Sequence, residues 1–303
     1  MNDLMRGALR ESSSRASHLP SPMMSAGTDA VLHLPINESG RDIVIGDVHG
    51  QSAAFERLLD RLEVDLDGGD RLILLGDLVD RGEDSWGMID WYAPQPSVFV
   101  LRGNHEQMLI DAADPQWMNL WRHNGGAWHE TPPEGEGTSP LIDESPDDSS
   151  RDTSWPAIDR IRQHCLALPF AIAIEQKDAD PVVCVHAEIP NGWSWPDFAQ
   201  VLEEEDSACG RQARLAALWG RSRINSAYGC EMPVAGAALC IYGHIPIREV
   251  QHQANCLWID TGAAYPNNYR SARITAVQVQ GGGFEEPISE GIVKAPRFSD
   301  GVS

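Results

Sequence analysis

Three short blocks of this 303-residue chain gather side chains able to hold metal ions or move protons. They are Ile45-Gly46-Asp47-Val48-His49-Gly50, Leu75-Gly76-Asp77-Leu78-Val79-Asp80-Arg81-Gly82 and Arg102-Gly103-Asn104-His105-Glu106. His186 and His244 also follow apolar runs, Val182–Val185 and Ile241–Tyr242. Oxygen and imidazole donors without thiolates suit manganese, iron or zinc in a hydrolytic centre, and Asp77 could bridge two such ions roughly 3.5 to 4 Å apart. Singly, each block has a plainer reading, since an aspartate after a strand is often a cap or turn and a lone histidine is often a hydrogen-bonded core residue. Five such blocks in one chain make coincidence a poor explanation.

These residues must be brought together by the elements that precede them. Residues just beyond the carboxyl ends of strands line the crevice of an α/β sheet, so convergence requires a strand before each block. Apolar runs supply them at Ile43–Ile45, Leu72–Leu75 and Val98–Leu101, and later at 169–175, 182–185, 238–242 and 257–259. Helical spacing through Ala53, Phe55, Leu58, Leu59 and Leu62 predicts a helix over 52–62; others are expected through Met108–Ile110 and over 158–168. Strand and helix alternate as repeated βαβ units.

Residues 1–40 are expected to form a flexible leader, with one short strand near Ala30–Leu34. The folded domain is expected over 41–286 and a flexible tail over 287–303. Within 131–155, Glu134, Glu136, Asp143, Glu144, Asp147, Asp148 and Asp152 stand against a single Arg151. Such a composition predicts a disordered acidic insertion. A hydrophobic content of 42% supports a sizeable core, while no apolar stretch reaches the roughly 18 residues that a membrane span requires. A net charge of −22 disfavours nucleic acid as a partner. Six cysteines stand singly and the N-terminal residues lack an apolar secretory segment, so a cytoplasmic protein with reduced thiols is expected. Oligomeric state is not legible.

The blocks resemble the signature of the calcineurin-like metallophosphoesterases, in particular the phosphoprotein phosphatase group with its GDxHG, GDxVDRG and GNHE motifs. The likeness is strongest to phage and bacterial members, through Arg102–Met108, Asn124-Gly-Gly, His186-Ala, Leu218-Trp-Gly-Arg221, Tyr242-Gly-His and Ile259-Asp-Thr-Gly-Ala, and it spans 41–280. It implies an α/β sandwich of two mixed β-sheets flanked by helices. It further implies two divalent metal ions, manganese first and iron or zinc as alternatives, one held by Asp47, His49 and Asp77 and the other by Asp77, Asn104, His186 and His244. His105 would act as general acid with Asp80 orienting its ring, and Arg81, Arg102 and Arg221 would bind the phosphoryl oxygens, Arg223 being a rival for Arg221. The activity implied is hydrolysis of phosphoserine and phosphothreonine in protein substrates by a metal-activated water, with phosphotyrosine left open.

Two other functions stay in view. A symmetrical diadenosine tetraphosphate hydrolase shares the ligands and fold, but that group typically departs from the forms that Asp80 and Glu106 complete here. A noncatalytic phosphoprotein-binding scaffold should have lost a ligand or the acid, and none is lost. His123 and His129 are expected to be ordinary polar positions. Of Trp86, Trp91, Trp117, Trp121 and Trp128, most should pack and one or two should line a groove beside the site.

Overall fold

Side chains alternate along the short apolar strands, as a period of two requires, and each face finds a different partner. Ile43 and Ile45 of β2 (Asp42–Ile45) and Leu72 and Leu74 of β3 (Arg71–Leu74) pack outward, while Val44 and Ile73 point inward. In a second sheet, Ala171 and Ala173 of β5 (Ala171–Gln176) and Val183 and Val185 of β6 (Ala179–Val185) face outward. Ile172, Ile174, Val182 and Cys184 face inward, towards Val44 and Ile73. The two sheets therefore pack face to face, with an apolar layer between them.

The computed structural model describes residues 29–130, 154–225, 232–265, 272–280 and 282–292. The first sheet has the order β1-β5-β6-β7-β9-β8, adding β1 (Val31–Leu34), β7 (Leu239–Tyr242), β8 (Gln251–Gln253) and β9 (Cys256–Trp258). The second has the order β11-β10-β2-β3-β4, with β4 (Val98–Val100), β10 (Arg273–Gln280) and β11 (Gly283–Phe284); β12 (Ile288–Gly291) also pairs with β10. Both are mixed: β2, β3 and β4 run parallel while β10 is antiparallel to β2, and β6, β7 and β9 run parallel while β5 is antiparallel to β6.

Helices cover both outer faces. Against the second sheet lie α1 (Ser52–Leu62), α2 (Ser85–Tyr92), α3 (Asn104–Asp111), α4 (Pro115–His123) and α5 (Ser154–Leu166). Helix α1 buries Ala54, Phe55, Leu58 and Leu62, one stripe of its surface. Against the first sheet lie α6 (Trp195–Leu202) and α7 (Ala208–Trp219), followed by the short α8 (Ser222–Asn225). The expected sandwich of two mixed sheets flanked by helices is the observed fold. Among the described residues, no helix is long and apolar enough to cross a membrane.

The sheets extend beyond 41–286 at both ends, and β1 is the short strand expected near Ala30–Leu34. Strand β1 lies inside the expected leader, paired in parallel with β5 from Val31↔Ala171 to Leu34↔Ile174, and the Glu203 carboxylate accepts from Ala30 N and Val31 N. Strand β12 lies inside the expected tail, paired with β10 from Ala276↔Ile288 to Arg273↔Gly291. Residues 1–28, most of the acidic insertion (131–153) and residues 293–303 lie outside the described residues.

Candidate metal centre

Each chemical block leaves the carboxyl end of a parallel strand and turns at once. Asp47 and His49 follow β2, Asp77 to Arg81 follow β3, the 102–106 block follows β4, His186 follows β6 and His244 follows β7. Five of these non-glycine residues adopt the left-handed conformation: His49 (φ 50°), Asp77 (51°), Asp80 (70°), Arg81 (68°) and His244 (66°). Such positions cost of order 1 to 3 kcal/mol each and need support from their surroundings. Here Asp77 O accepts from Val48 N and His49 N, and Leu78 O accepts from Gly50 N, tying the first two loops together.

Glu106 provides a second clamp. Its buried carboxylate accepts from Asp77 N (2.8 Å), Leu78 N (2.9 Å) and Gly103 N (2.9 Å), joining the β3 loop to the first turn of α3. Gly103 permits this approach, since a Cβ there would lie 2.3 Å from Asp77 Oδ1.

Asp77 stands between two sets of donors. Its Oδ2 lies 3.5 Å from His49 Nε2 and its Oδ1 lies 3.5 Å from His186 Nε2. His49 Nδ1 is 3.0 Å from Val79 O and His186 Nδ1 is 2.8 Å from Leu75 O, so each Nδ1 donates and each Nε2 lone pair faces Asp77. Asn104 Oδ1 lies 3.0 Å from His186 Nε2 and 2.9 Å from His244 Nδ1, which completes a convergent set on that side. Asp47 reaches the same region, its carboxylate accepting from His244 N at 3.1 and 3.2 Å.

The charges here call for cations. Burial, then Asp260 and Asp77, raise the Asp47 carboxyl well above its ordinary range. Burial, then Asp77, pushes Glu106 up to about 7, and burial is the main cause that carries Asp260 to about 7. Asp77 moves the other way: burial opposes ionisation, but His186, His105 and His49 hold it below the usual carboxylate range. Burial keeps His49 and His186 neutral, and burial with His186 brings His244 down to about 3. Neutral imidazoles, one ionised Asp77 and further buried acids that resist ionising for want of a counter-charge are what divalent cations would relieve. The residues present therefore fit a pair of such ions.

Two groups of metal-binding geometry stand out among the described residues: His49, Asp77 and His105, and Asp77, His186 and His244, each with donor atoms within 4.8 Å of one another. His105 falls in the first where the sequence suggested Asp47. Its Nδ1, however, lies 2.6 Å from Asp80 Oδ2, and although burial opposes charge, Asp77 and Asp80 together raise its pKa. A histidine that holds its proton is suited to donating it rather than to ligation.

The expected arginines separate. Arg81 Nη1 is 3.4 Å from His49 Nε2, with its guanidinium 4.9 Å from the Tyr265 ring centroid. Arg221 Nε is 3.3 Å from His244 Nε2. Arg223, the rival for that place, is instead a core residue that donates to Ile189 O and Met232 O. Arg102 has other partners, its Nη1 donating to Gln107 Oε1 at 3.2 Å. The segment entering β5 packs over it, so it donates to Leu166 O at 2.6 Å and lies 4.5 Å from the Phe170 ring centroid. His123 is exposed, as an ordinary polar position should be. His129 instead is buried and stacked on Trp121 at 4.7 Å. Trp121 and Trp128 direct their indole N–H groups at Asp80, which sequence reasoning missed. It also missed Asp260, although Asp260 follows β9 as the other acids follow their strands.

Comparison with known proteins agrees with this geometry. Residues 41–248 match the family described as calcineurin-like phosphoesterase. Serine/threonine-protein phosphatase 1 of Salmonella typhimurium is 30% identical over 239 residues, 76% of this chain and 90% of that protein. A symmetrical bis(5'-nucleosyl)-tetraphosphatase of Chromohalobacter salexigens is 32% identical over 182 residues, 59% of this chain and 57% of that protein. Among solved structures, a protein serine/threonine phosphatase from Saccharomyces cerevisiae superposes with a TM-score of 0.58 at 15% identity, covering 89% of this chain and 86% of that one. With the family match covering most of the chain and its motifs converging on one buried centre, the protein belongs to the calcineurin-like phosphoesterase family.

Proposed function

We propose that the protein hydrolyses phosphate monoesters of serine and threonine side chains in other proteins. The observation that carries this reading is the His105–Asp80 pair set beside Asp77, whose two oxygens face opposite histidines. Asp47, His49 and Asp77 would hold one divalent ion, and Asp77, Asn104, His186 and His244 the other, with manganese proposed for both. Such ions, when bound, supply charge that offsets the phosphate dianion and lower the pKa of an attacking water.

The chain's own residues do the rest. Arg81 and Arg221 offer planar guanidiniums able to hold two phosphoryl oxygens each and to orient the ester for in-line displacement. His105, its Nδ1 fixed by Asp80, directs Nε2 to protonate the leaving serine or threonine oxygen. Asp77 holds the two halves of the site at fixed separation.

The second reading, cleavage of a symmetrical dinucleotide tetraphosphate, is favoured by the name of the Chromohalobacter relative. The arginines argue against it. Arg102 is engaged by Leu166 O and Gln107 and Arg223 by main-chain carbonyls, which leaves Arg81 and Arg221 beside the candidate ligands among the described residues, a complement suited to one phosphoryl group rather than to a tetraphosphate. Steady-state turnover on phosphoserine and phosphothreonine peptides beside diadenosine tetraphosphate tests the choice. A higher kcat/KM for the dinucleotide than for every peptide would move the protein to the second reading.

A further inference from the structure

Asp80 has no solvent exposure, yet its carboxylate accepts from three ring N–H groups. His105 Nδ1 lies 2.6 Å from Oδ2, Trp128 Nε1 donates to Oδ1 at 2.7 Å, and Trp121 Nε1 lies 3.2 and 3.1 Å from the two oxygens. Burial of two tryptophans needs only apolar surroundings. That both indole N–H groups meet on one carboxylate asks for a further reason.

The local chain is built around that meeting. Helix α4 ends by placing Trp121 in the core, with 0% exposure, and the chain then reverses through Asn124, Gly125 and Gly126. At Gly126 a Cβ would lie 2.3 Å from Trp121 Cε2, so glycine is what lets the chain return across the indole. A short 3-10 segment, Gly126–Glu130, then delivers Trp128 edge-on to Trp121 (6.0 Å, 88°) and to Trp86 (5.0 Å, 87°). Trp86 Nε1 donates to Trp128 O, and His129 stacks on Trp121 while its Nδ1 contacts Gly126 O. Each indole is thus held in place by neighbours of its own.

The geometry points to Trp121 and Trp128 as positioning residues of the hydrolytic reaction, fixing the Asp80 carboxylate so that Oδ2 holds His105 in its proton-donating orientation. This rests on the reading of His105 as general acid. The physical need is plain: the terminal torsion of an aspartate is broad, so the backbone alone does not set where its oxygens point. Two rigid donors on the other lone pairs do set it. Indoles suit the task because they donate only, carry no charge and have no proton to exchange with the dyad.

The test uses Trp128→Phe and Trp121→Phe, which keep an aromatic ring and remove the donor. The substrates, with the metal-loaded protein, are phenyl phosphate, whose leaving group needs protonation, and p-nitrophenyl phosphate, whose leaving group does not. Trp128→Phe should lower kcat on phenyl phosphate about ten-fold and on p-nitrophenyl phosphate less than about two-fold, with KM and Tm little changed, because only the protonation step is weakened. In a His105→Asn background the same substitution should change nothing further. Equal losses on both substrates, or a loss that persists without His105, would show that the indoles merely pack and would overturn the proposal. If His105→Asn itself shows no leaving-group bias, the general-acid reading falls, and this inference with it. Trp128 is only half-buried, so its variant decides the matter even where Trp121→Phe fails to fold.

Discussion

His105 Nδ1 stands 2.6 Å from Asp80 Oδ2, with both side chains closed to solvent. A carboxylate so placed anchors Nδ1–H and, with Asp77, raises the imidazole pKa against burial, so that on the proposed general-acid role Nε2 would carry the proton for a leaving group. His105→Asn should therefore lower turnover of alkyl or phenyl phosphates roughly 10² to 10⁴-fold, and of p-nitrophenyl phosphate far less. Steady-state kinetics on the two substrate classes checks this; equal losses would assign His105 to the metal set instead.

The excess of buried carboxylate makes metal and pH interact. In the metal-free protein Glu106 and Asp260 are raised to about 7 by burial, from unfolded values near 4. The folded state then binds more protons than the unfolded one, so stability falls as pH rises towards and through the folded pKa. His105, also raised, acts in the same direction. The lowered pKa values of His49, His186 and His244 oppose this in part, because their unfolded forms still shed protons around pH 6.5, but Asp47, Glu106, Asp260 and His105 all act the other way and outweigh them. Melting in the presence of a chelator should thus give a lower Tm at pH 7.5 than at pH 6.5, and added manganese should raise Tm more at the higher pH. A Tm that rises across this window would refute the charge assignment.

Two arginines separated by one residue should behave oppositely. Arg221→Ala removes a guanidinium at the site and should lower kcat/KM roughly ten- to a hundred-fold, the value of a charge-assisted hydrogen bond, with Tm nearly unchanged. Arg223→Ala empties a buried position and leaves Ile189 O and Met232 O without their donor, destabilising the protein by roughly 2 to 4 kcal/mol. Kinetics and thermal melts of the two variants, compared side by side, decide between the roles.

Much of this was legible before folding. The 52–62 helix showed its spaced apolar face, and β2 and β3 showed as unbroken apolar runs because both of their faces are covered. Helix α2 was not legible: Trp86, Met88, Ile89, Trp91 and Tyr92 surround it with apolar groups and leave no stripe to detect. The place of β1 depends on β5, more than a hundred residues later in the chain, and no local signal carries that. Arg102 looked like its companions because it too follows a strand, but Leu166 and Phe170 arrive from a distant segment to claim it. The pairing of Trp121 and Trp128 on Asp80 likewise needs the turn at Gly125 and Gly126, whose geometry the sequence only hinted at.

The protein's charge should be visible in its choice of substrate. A net charge of −22 attracts peptides with basic residues beside the phosphate and repels acidic ones. Phosphopeptides flanked by arginine should show the higher kcat/KM, and the advantage should shrink as salt rises, since screening shortens the field to about 8 Å at physiological ionic strength. An advantage that is independent of salt would mean that local contacts, rather than the overall field, select the peptide.

The account turns on Asp77 as the residue shared by two ions, so metal stoichiometry measured with and without its charge tests it most directly. Elemental analysis of the manganese-loaded protein should find two ions per chain, and Asp77→Asn should lose at least one of them together with nearly all turnover. An Asp77→Asn protein that kept both ions and near-normal activity would contradict the shared-carboxylate centre.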